Sequence, residues 1–319
     1  MEKVKSKKEK IISIIGFIIL LAVLTVMLSL FFKPNNPMDY ADKRTAKGYR
    51  VYDEPNNTLD VLFFGHSAVY SAVSPMEIYN NYGFTSFACS YPLQMPWETA
   101  DFLKDVLRKQ SPKVVVMDID SLCYDIKRTN IKKIYDDAVR KKKYPLLQNH
   151  IAWKDWLPNV EIRERDVNKG YIIHKKKKPY KGNRAFKETD KRFATTQEFI
   201  KGLDDVVKIC REKGIELFLM ELPNKTRWSY EKFNTASDYV NERGLHFVDF
   251  TQYEKQMGFD WVNDTMDEGD HLNYYGAVKL SAHLGKILAE KYDLPDRRND
   301  ETYAFWKEDF EQYKKRCGK

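Results

Sequence analysis

Hydrophobic and polar positions alternate along the chain in distinct ways. Ile11–Phe32 is an uncharged, mainly apolar run of 22 residues. At about 1.5 Å per residue it predicts a helix roughly 33 Å long, enough to cross a bilayer core. From residue 59 the pattern changes to short apolar runs separated by stretches of helical period. Leu59–Phe64 predicts a strand, and Ser74-Pro75-Met76-Glu77 has the makeup of a helix start, with a Ser cap, Pro in the first position and Glu in the first turn. Phe84–Ser90 predicts a second strand. Trp97–Lys109 predicts a helix, because Trp97, Ala100, Leu103, Val106 and Leu107 share one face. The β-branched run Val114–Asp120 has the character of a strand buried on both faces. Strand, helix and strand in this order predict an α/β fold with a parallel sheet between helix layers.

Residues 121–195 interrupt the alternation. It resumes with a helix at Thr196–Lys213, a strand at Ile215–Leu222, a helix at Tyr230–Arg243, a strand at His246–Phe250 and a helix at Asn273–Tyr292. The last stretch, Arg297–Lys319, reads as a charged helix lying on the surface. The expected organisation is a cytoplasmic tail (1–10), a transmembrane anchor (11–32), a Pro- and Asn-rich stalk (33–58) and one domain (59–319) carrying an insertion at about 121–195. The apolar run ends Leu28-Ser29-Leu30-Phe31-Phe32, without the small residues of a cleavage site, so it reads as an uncleaved anchor. Lys3, Lys5, Lys7, Lys8 and Lys10 precede it. This predicts a single-pass protein of the cell membrane with its N-terminus in the cytoplasm and its domain outside.

Composition narrows the picture further. The net charge is +8, of which +3 lies in the tail, leaving a modest excess elsewhere. The insertion holds Arg140-Lys141-Lys142-Lys143 and Lys175-Lys176-Lys177-Lys178, interleaved with Tyr144, Trp153, Trp156, Tyr171 and Tyr180. It reads either as a solvated lid or as a basic aromatic surface for an anionic polymer or lipid headgroups. Nucleic acid is disfavoured by the expected topology. Cys89, Cys123, Cys210 and Cys317 show neither a metal-knuckle spacing nor a CxxC motif, and three of them sit in or beside apolar runs. No disulfide framework, metal or cofactor is expected.

Two short stretches could carry chemistry. In Leu62-Phe63-Phe64-Gly65-His66-Ser67, a strand breaks into a turn that exposes Ser67 at the carboxyl edge of the sheet. The Gly-x-Ser-x-Gly elbow is absent, since residue 69 is Val, and Ser67 alone could equally be a helix-capping serine. In Asp267-Glu268-Gly269-Asp270-His271-Leu272-Asn273, an imidazole follows three carboxylates. His271 could take the serine proton while a carboxylate orients its ring. The alternative is an acidic loop that caps the following helix. A single histidine makes zinc a poor fit.

Taken together, Phe63-Phe64-Gly65-His66-Ser67, Lys113-Val114-Val115-Val116-Met117-Asp118, Glu221-Leu222-Pro223-Asn224 and Asp270-His271-Leu272-Asn273-Tyr274-Tyr275-Gly276-Ala277 resemble the SGNH (GDSL-like) hydrolase superfamily. The nearest look is its membrane-anchored DltD-like and alginate-acetyltransferase-like branch. The resemblance implies a flavodoxin-like three-layer α/β/α fold with Ser67 as nucleophile and His271 as base. The orienting acid normally lies three residues before the histidine, here Glu268. Asp267 is preferred because Gly269 lets the loop fold back under the ring, with Glu268 and Asp270 as rivals. Where the family places an oxyanion-hole Gly and Asn, this chain has Ser90-Tyr91-Pro92-Leu93-Gln94 and Asp118-Ile119-Asp120. The Ser67 N–H and Gln94 are therefore the candidate donors. Ser90 and Asp118 stand at the matching positions, with a structural or substrate-hydroxyl role expected for Asp118. The function implied is an extracytoplasmic serine acyltransferase or esterase acting through an acyl-Ser67 on a cell-envelope polysaccharide or teichoic-acid-type polymer, beside a membrane acyl exporter of the MBOAT type. The alternative is a binding or scaffold protein that keeps the fold without the chemistry.

Overall fold

The computed structural model describes residues 7–31, 44–124, 129–143, 165–182 and 186–318. In chain order the helices are α1 (Lys7–Phe31), α2 (Ala46–Tyr49), α3 (Ser67–Ala72), α4 (Pro75–Tyr82), α5 (Pro96–Val106), α6 (Thr129–Lys143), α7 (Gln197–Lys213), α8 (Tyr230–Arg243), α9 (Tyr274–Tyr292) and α10 (Ala304–Cys317). The strands are β1 (Val61–Gly65), β2 (Ser86–Ser90), β3 (Val114–Asp118), β4 (Glu216–Glu221) and β5 (His246–Asp249). Among the described residues, α1 and α6 belong to one unit, and 44–124, 165–182 and 186–318 belong to the other. The first unit contains α1. It is the one helix among the described residues long and apolar enough to cross a membrane, with a mean hydropathy of 3.1. Tyr144, Trp153, Trp156 and the side chains of Arg140–Lys143 lie outside the described residues.

The second unit is built on the sheet. All five strands are parallel, in the order β2-β1-β3-β4-β5. This is the flavodoxin-like order, which reverses direction at β1 and opens a crevice at the carboxyl ends there. The strands have apolar side chains on both faces because both faces are covered. Val61, Phe63, Val114, Val116, Phe218 and Met220 pack with α3, α4 and α9, through Val69, Ala72, Ile78, Leu280 and Leu284. On the opposite face Phe64 meets Phe102 of α5 edge to face, with ring centres 5.6 Å apart. Helix ends follow their capping residues. The Ser74 hydroxyl accepts the Glu77 N–H ahead of Pro75, and α7 and α8 end on Gly214 and Gly244 in left-handed conformation. The register brings Gly65, Ser90, Asp118, Glu221 and Asp249 to the carboxyl edge of the sheet.

One segment differs from the sequence reading. The described part of the expected stalk, residues 44–58, belongs to the domain. Val51 and Tyr52 are buried there, Tyr52 donates to Asp105 at 2.7 Å, and Tyr49 and Tyr52 pack on Phe102. The Pro and Asn residues mark its turns, but the aromatic residues between them supply the area that fixes it. The charged helix expected on the surface is α10, which keeps Lys307, Glu308, Glu311 and Lys315 exposed and turns Trp306 and Tyr313 inward, both fully buried. The Tyr313 hydroxyl bonds Glu77 and Ser74 of the α4 start at 3.1 and 3.0 Å.

Within the expected insertion, residues 165–182 run as a strap without helix or strand. Ala88 N–H donates to Lys169 O, Ile172 N–H to Tyr70 O, and Tyr274 N–H to His174 O. Lys178 N–H then donates to Thr265 O, and Glu268 N–H to Lys178 O. The strap is anchored by Lys169, whose side chain is fully buried. Its ammonium lies 2.8 and 3.0 Å from the two Glu54 carboxylate oxygens and 2.7 Å from Asp309. The face of Trp306 sits 4.7 Å from the same nitrogen.

One ammonium thus joins residues from the former stalk, the strap and α10. Removing the cation would leave two buried carboxylates facing each other. Lys169→Met is expected to cost about 3–5 kcal/mol, read as a lowered urea midpoint of the detergent-purified chain. A midpoint within error of wild type would contradict this anchoring role.

Candidate active site

Ser67 opens α3 directly after β1, where the chain must turn sharply from strand to helix. Gly65 makes this turn with φ at +147°. A Cβ there would meet Val69 Cγ2 at 2.6 Å and Asp118 Cβ at 2.8 Å. His66 caps the helix, its Nδ1 accepting the Ala68 N–H at 3.3 Å. The Ser67 hydroxyl lies 2.7 Å from His271 Nε2, across 204 positions of sequence.

The loop holding His271 is folded by its own polar groups. Asn273 is fully buried and caps α9 by accepting the Tyr275 and Gly276 N–H groups. Its amide donates to the carbonyls of Asn263, Thr265 and Lys176. Glu268 (φ +65°) and Gly269 (φ +92°) reverse the chain. Asp267 then returns beneath the ring: Oδ1 accepts the His271 N–H at 2.7 Å, and Oδ2 lies 2.6 Å from Nδ1. The Nδ1 proton on Asp267 leaves the Nε2 lone pair for the Ser67 hydroxyl. Burial pushes the Asp267 carboxyl up, but the hydrogen bonds from the His271 ring and backbone outweigh it and hold the group below the usual range.

The other two carboxylates of the loop lie elsewhere. Glu268 is exposed and pairs with Lys178 at 3.3 Å. Asp270 approaches Nδ1 to 3.2 Å with Oδ2, but its Oδ1 accepts from Arg227 Nε at 2.6 Å and from Thr226 at 2.7 Å. Asp267, Asp270 and His271 bring donor atoms within 4.8 Å of one another, a spacing compatible with a metal ion. The guanidinium on Asp270 already supplies the compensating cation there.

The remaining sequence candidates line the sheet edge. Gln94 is buried, and its Oε1 accepts the Gly65 N–H at 3.2 Å. This sets the amide orientation and leaves Nε2 as a buried donor with no partner among the described residues. Ser90 is fully buried, with Gly48 packed on its backbone, and no described hydrogen bond joins it to Ser67 or His271. Asp118 is buried on the His66 ring, 3.0 Å from Nε2, and accepts the Asp120 N–H at 3.1 Å. It is therefore engaged structurally, and a substrate hydroxyl would find both its oxygens already committed.

Several residues near the site were not singled out from sequence. Tyr70 brings its hydroxyl to the Ser67 side chain, and His174 of the strap faces His271. Burial, and then His271, lower the His174 pKa. Behind Ser67 lies a network of buried charge. His66 Nε2 faces Asp118 and Asp120, while Asp120 also accepts from Arg227 at 2.9 Å and Lys232 at 3.3 Å. Burial pulls the His66 pKa down, but the two aspartates carry it above its ordinary value. Burial also opposes ionisation of Asp120, yet His66, Lys232 and Arg227 hold that carboxyl far below the usual range. Glu221 at the end of β4 goes the other way. Burial, and then Asp120 and Asp118, push its carboxyl well above the ordinary range. The sequence signal for Arg227 was its place three residues after Asn224, just past the end of a strand whose carboxyl edge faces the site.

No protein-family model matches the chain, and no curated protein sequence matches it. Solved structures do share part of its shape. A Bacteroides fragilis protein named as an acylhydrolase is 12% identical, covering 75% of this chain and 91% of its own, at a TM-score of 0.38. A GDSL-like lipase from Bacteroides thetaiotaomicron is 12% identical, with coverages of 72% and 87% and a TM-score of 0.38. A Streptococcus pneumoniae protein named as a platelet activating factor is 13% identical, with coverages of 84% and 99% and a TM-score of 0.39. These superpositions are loose, so the reading of the site rests on this chain's own side chains.

Glu221 yields a pH-dependent expectation. Its folded pKa exceeds the unfolded value, so its contribution to stability is full below the unfolded pKa and declines as pH rises toward the folded one. Glu221→Gln removes that decline. The melting temperature of the variant relative to wild type should therefore climb between about pH 5 and pH 8. A difference that stays flat across this window would show that Glu221 is ionised in the folded chain.

Proposed function

We propose that the chain is a serine-dependent acyl-transferring enzyme of the SGNH type, in which Ser67, His271 and Asp267 act as nucleophile, base and orienting acid. The observation that carries this reading is the unbroken line from Ser67 Oγ to His271 Nε2 (2.7 Å) and from His271 Nδ1 to Asp267 (2.6 Å) at the carboxyl edge of the sheet. His271 takes the Ser67 proton as the oxygen attacks an ester carbonyl, and the tetrahedral intermediate forms. Negative charge on its oxygen is met by the Ser67 N–H and Gln94 Nε2. Collapse expels an alcohol, which takes the proton back from His271 and leaves acyl-Ser67. An acceptor hydroxyl then repeats the sequence in reverse. Water as acceptor gives an esterase, and a polymer hydroxyl gives an acyltransferase.

The apolar α1 and the lysines before it support a membrane-anchored enzyme whose domain lies outside the cell. Its substrates would be a cell-envelope polysaccharide or teichoic-acid-type polymer, and its acyl groups would come from a membrane exporter. A loss of chemistry with the fold retained would instead make it a scaffold in such a system.

Reaction with a fluorophosphonate probe tests the nucleophile without knowledge of the substrate. Wild type should label, while Ser67→Ala and His271→Ala should not. Asp267→Asn should slow labelling by about 10⁴-fold, and Gln94→Glu by about 10²–10³-fold. Labelling that survives Ser67→Ala would remove Ser67 from the mechanism. Topology has a separate test, because all four native cysteines are buried. A cysteine placed at exposed Lys208 should react with a membrane-impermeant maleimide in intact cells, and protection until lysis would put the domain in the cytoplasm.

A further inference from the structure

The site poses an electrostatic problem. Two carboxylates, Asp267 at 2.6 Å and Asp270 at 3.2 Å, approach the same nitrogen of His271. Two uncompensated anions beside one imidazole would favour the imidazolium, which cannot accept a proton from serine.

The geometry points to Arg227 as the positioning residue that resolves this: by holding Asp270 it leaves Asp267 as the carboxylate directed to the His271 ring. This inference rests on the reading of His271 as the base for Ser67. Arg227 Nε donates to Asp270 Oδ1 at 2.6 Å and Nη2 to the Asp270 carbonyl at 2.9 Å. The guanidinium is fixed from behind, with Nη1 donating to buried Asp120 at 2.9 Å and lying 3.2 Å from His66 Nε2. Asp120 is itself held by Lys232 and His66, so Arg227 has a rigid seat. One planar cation therefore touches the neighbour of the nucleophile on one side and the neighbour of the base on the other. A lysine could supply the charge but not the fork.

The other groups facing His271 do not supply this compensation. Asp267 comes from its own loop, Ser67 and the Tyr70 hydroxyl come from α3, and His174 comes from the strap. Behind Arg227 stand Asp120, Tyr124 and Glu221. Among these described neighbours, Arg227 is the cation placed against Asp270.

The test follows the His271 ring by NMR in the full chain, ¹³C-labelled at histidine and held in detergent micelles. Its resonance is the one lost in His271→Asn. Arg227→Met should raise the titration midpoint of that resonance by about one pH unit, and Asp270→Asn should lower it by a similar amount. The double variant should return close to wild type, and Arg227→Lys should move the midpoint less than Arg227→Met. Should Arg227→Met fail to fold, Asp270→Asn and Arg227→Lys carry the test. Midpoints unmoved by loss of either charge would overturn the assignment and leave Arg227 a structural brace. The acid limb of the fluorophosphonate labelling rate should follow the same shifts. The ring titration needs no reaction at Ser67. Shifted midpoints in a chain that does not label would therefore overturn the catalytic reading and leave the charge balance standing.

Discussion

A single buried cation holds the segments around the sheet in register. Lys169 sits without solvent between Glu54 and Asp309. An isolated ammonium in such a place would be prohibitively unstable, so the three segments that contribute the charges must assemble together. The segment before β1, the strap and α10 have little regular hydrogen bonding with one another. Electrostatic necessity takes the place of secondary structure. Burial also pushes the Glu54 carboxyl above its ordinary value, with Lys169 opposing that shift. The strap so anchored then passes Tyr70, next to Ser67, and continues to Tyr274 and Thr265, next to His271. Ser67 and His271 owe their spacing to a segment that belongs to neither.

The same logic operates at smaller scale around His66. A histidine at the first turn of α3 is expected to cap or face solvent, but here it is buried between Asp118 and Asp120, and its second nitrogen accepts the Ala68 N–H. The ring stiffens the turn that presents Ser67. Asp118 and Asp120 stand at the positions where the resemblance implies an oxyanion-binding amide, and they would repel an oxyanion if they faced it. Their commitment to His66, Arg227 and Lys232 removes the conflict, since the negative charge is spent internally. Gln94 occupies a comparable position with the opposite polarity, anchored through its oxygen and free at its nitrogen.

Much of this was legible in the sequence, for definable reasons. Strands were visible at Leu59–Phe64, Phe84–Ser90 and Val114–Asp120, within two residues of the observed β1, β2 and β3, because a sheet covered on both faces demands continuous apolar runs. The helix Tyr230–Arg243 was legible from its period, and Ser229 and Gly244 cap it in the structure. Ser67 and His271 stood out because Gly-His-Ser ended a strand and acidic residues crowded a single histidine. The three carboxylates could be ranked by backbone conformation, since a glycine at 269 permits the reversal that puts Asp267 under the ring. The burial and the partners of Arg227 and Lys169 were not legible, although Arg227 lies just past a strand end. Their partners lie 43 to 161 and 115 to 140 positions away, and a charged residue's burial depends on tertiary contacts that carry no local pattern. The segment at 44–58 misled for a related reason. Proline and asparagine describe how a chain turns, not whether what it carries is buried.

The separation of Ser67 from His271 has a consequence for how the protein comes into being. Asp267 and His271 are neighbours in one loop, so the acid and base can preassemble as soon as that loop closes. The serine waits on the far side of the sheet's assembly. Contacts of such long sequence separation form late, because the closure entropy must be met before they stabilise anything. A nascent or partly folded chain therefore carries a formed imidazole–carboxylate pair with no alcohol to activate. The Ser67–His271 contact is thus completed only once the sheet has brought the two ends of the domain together.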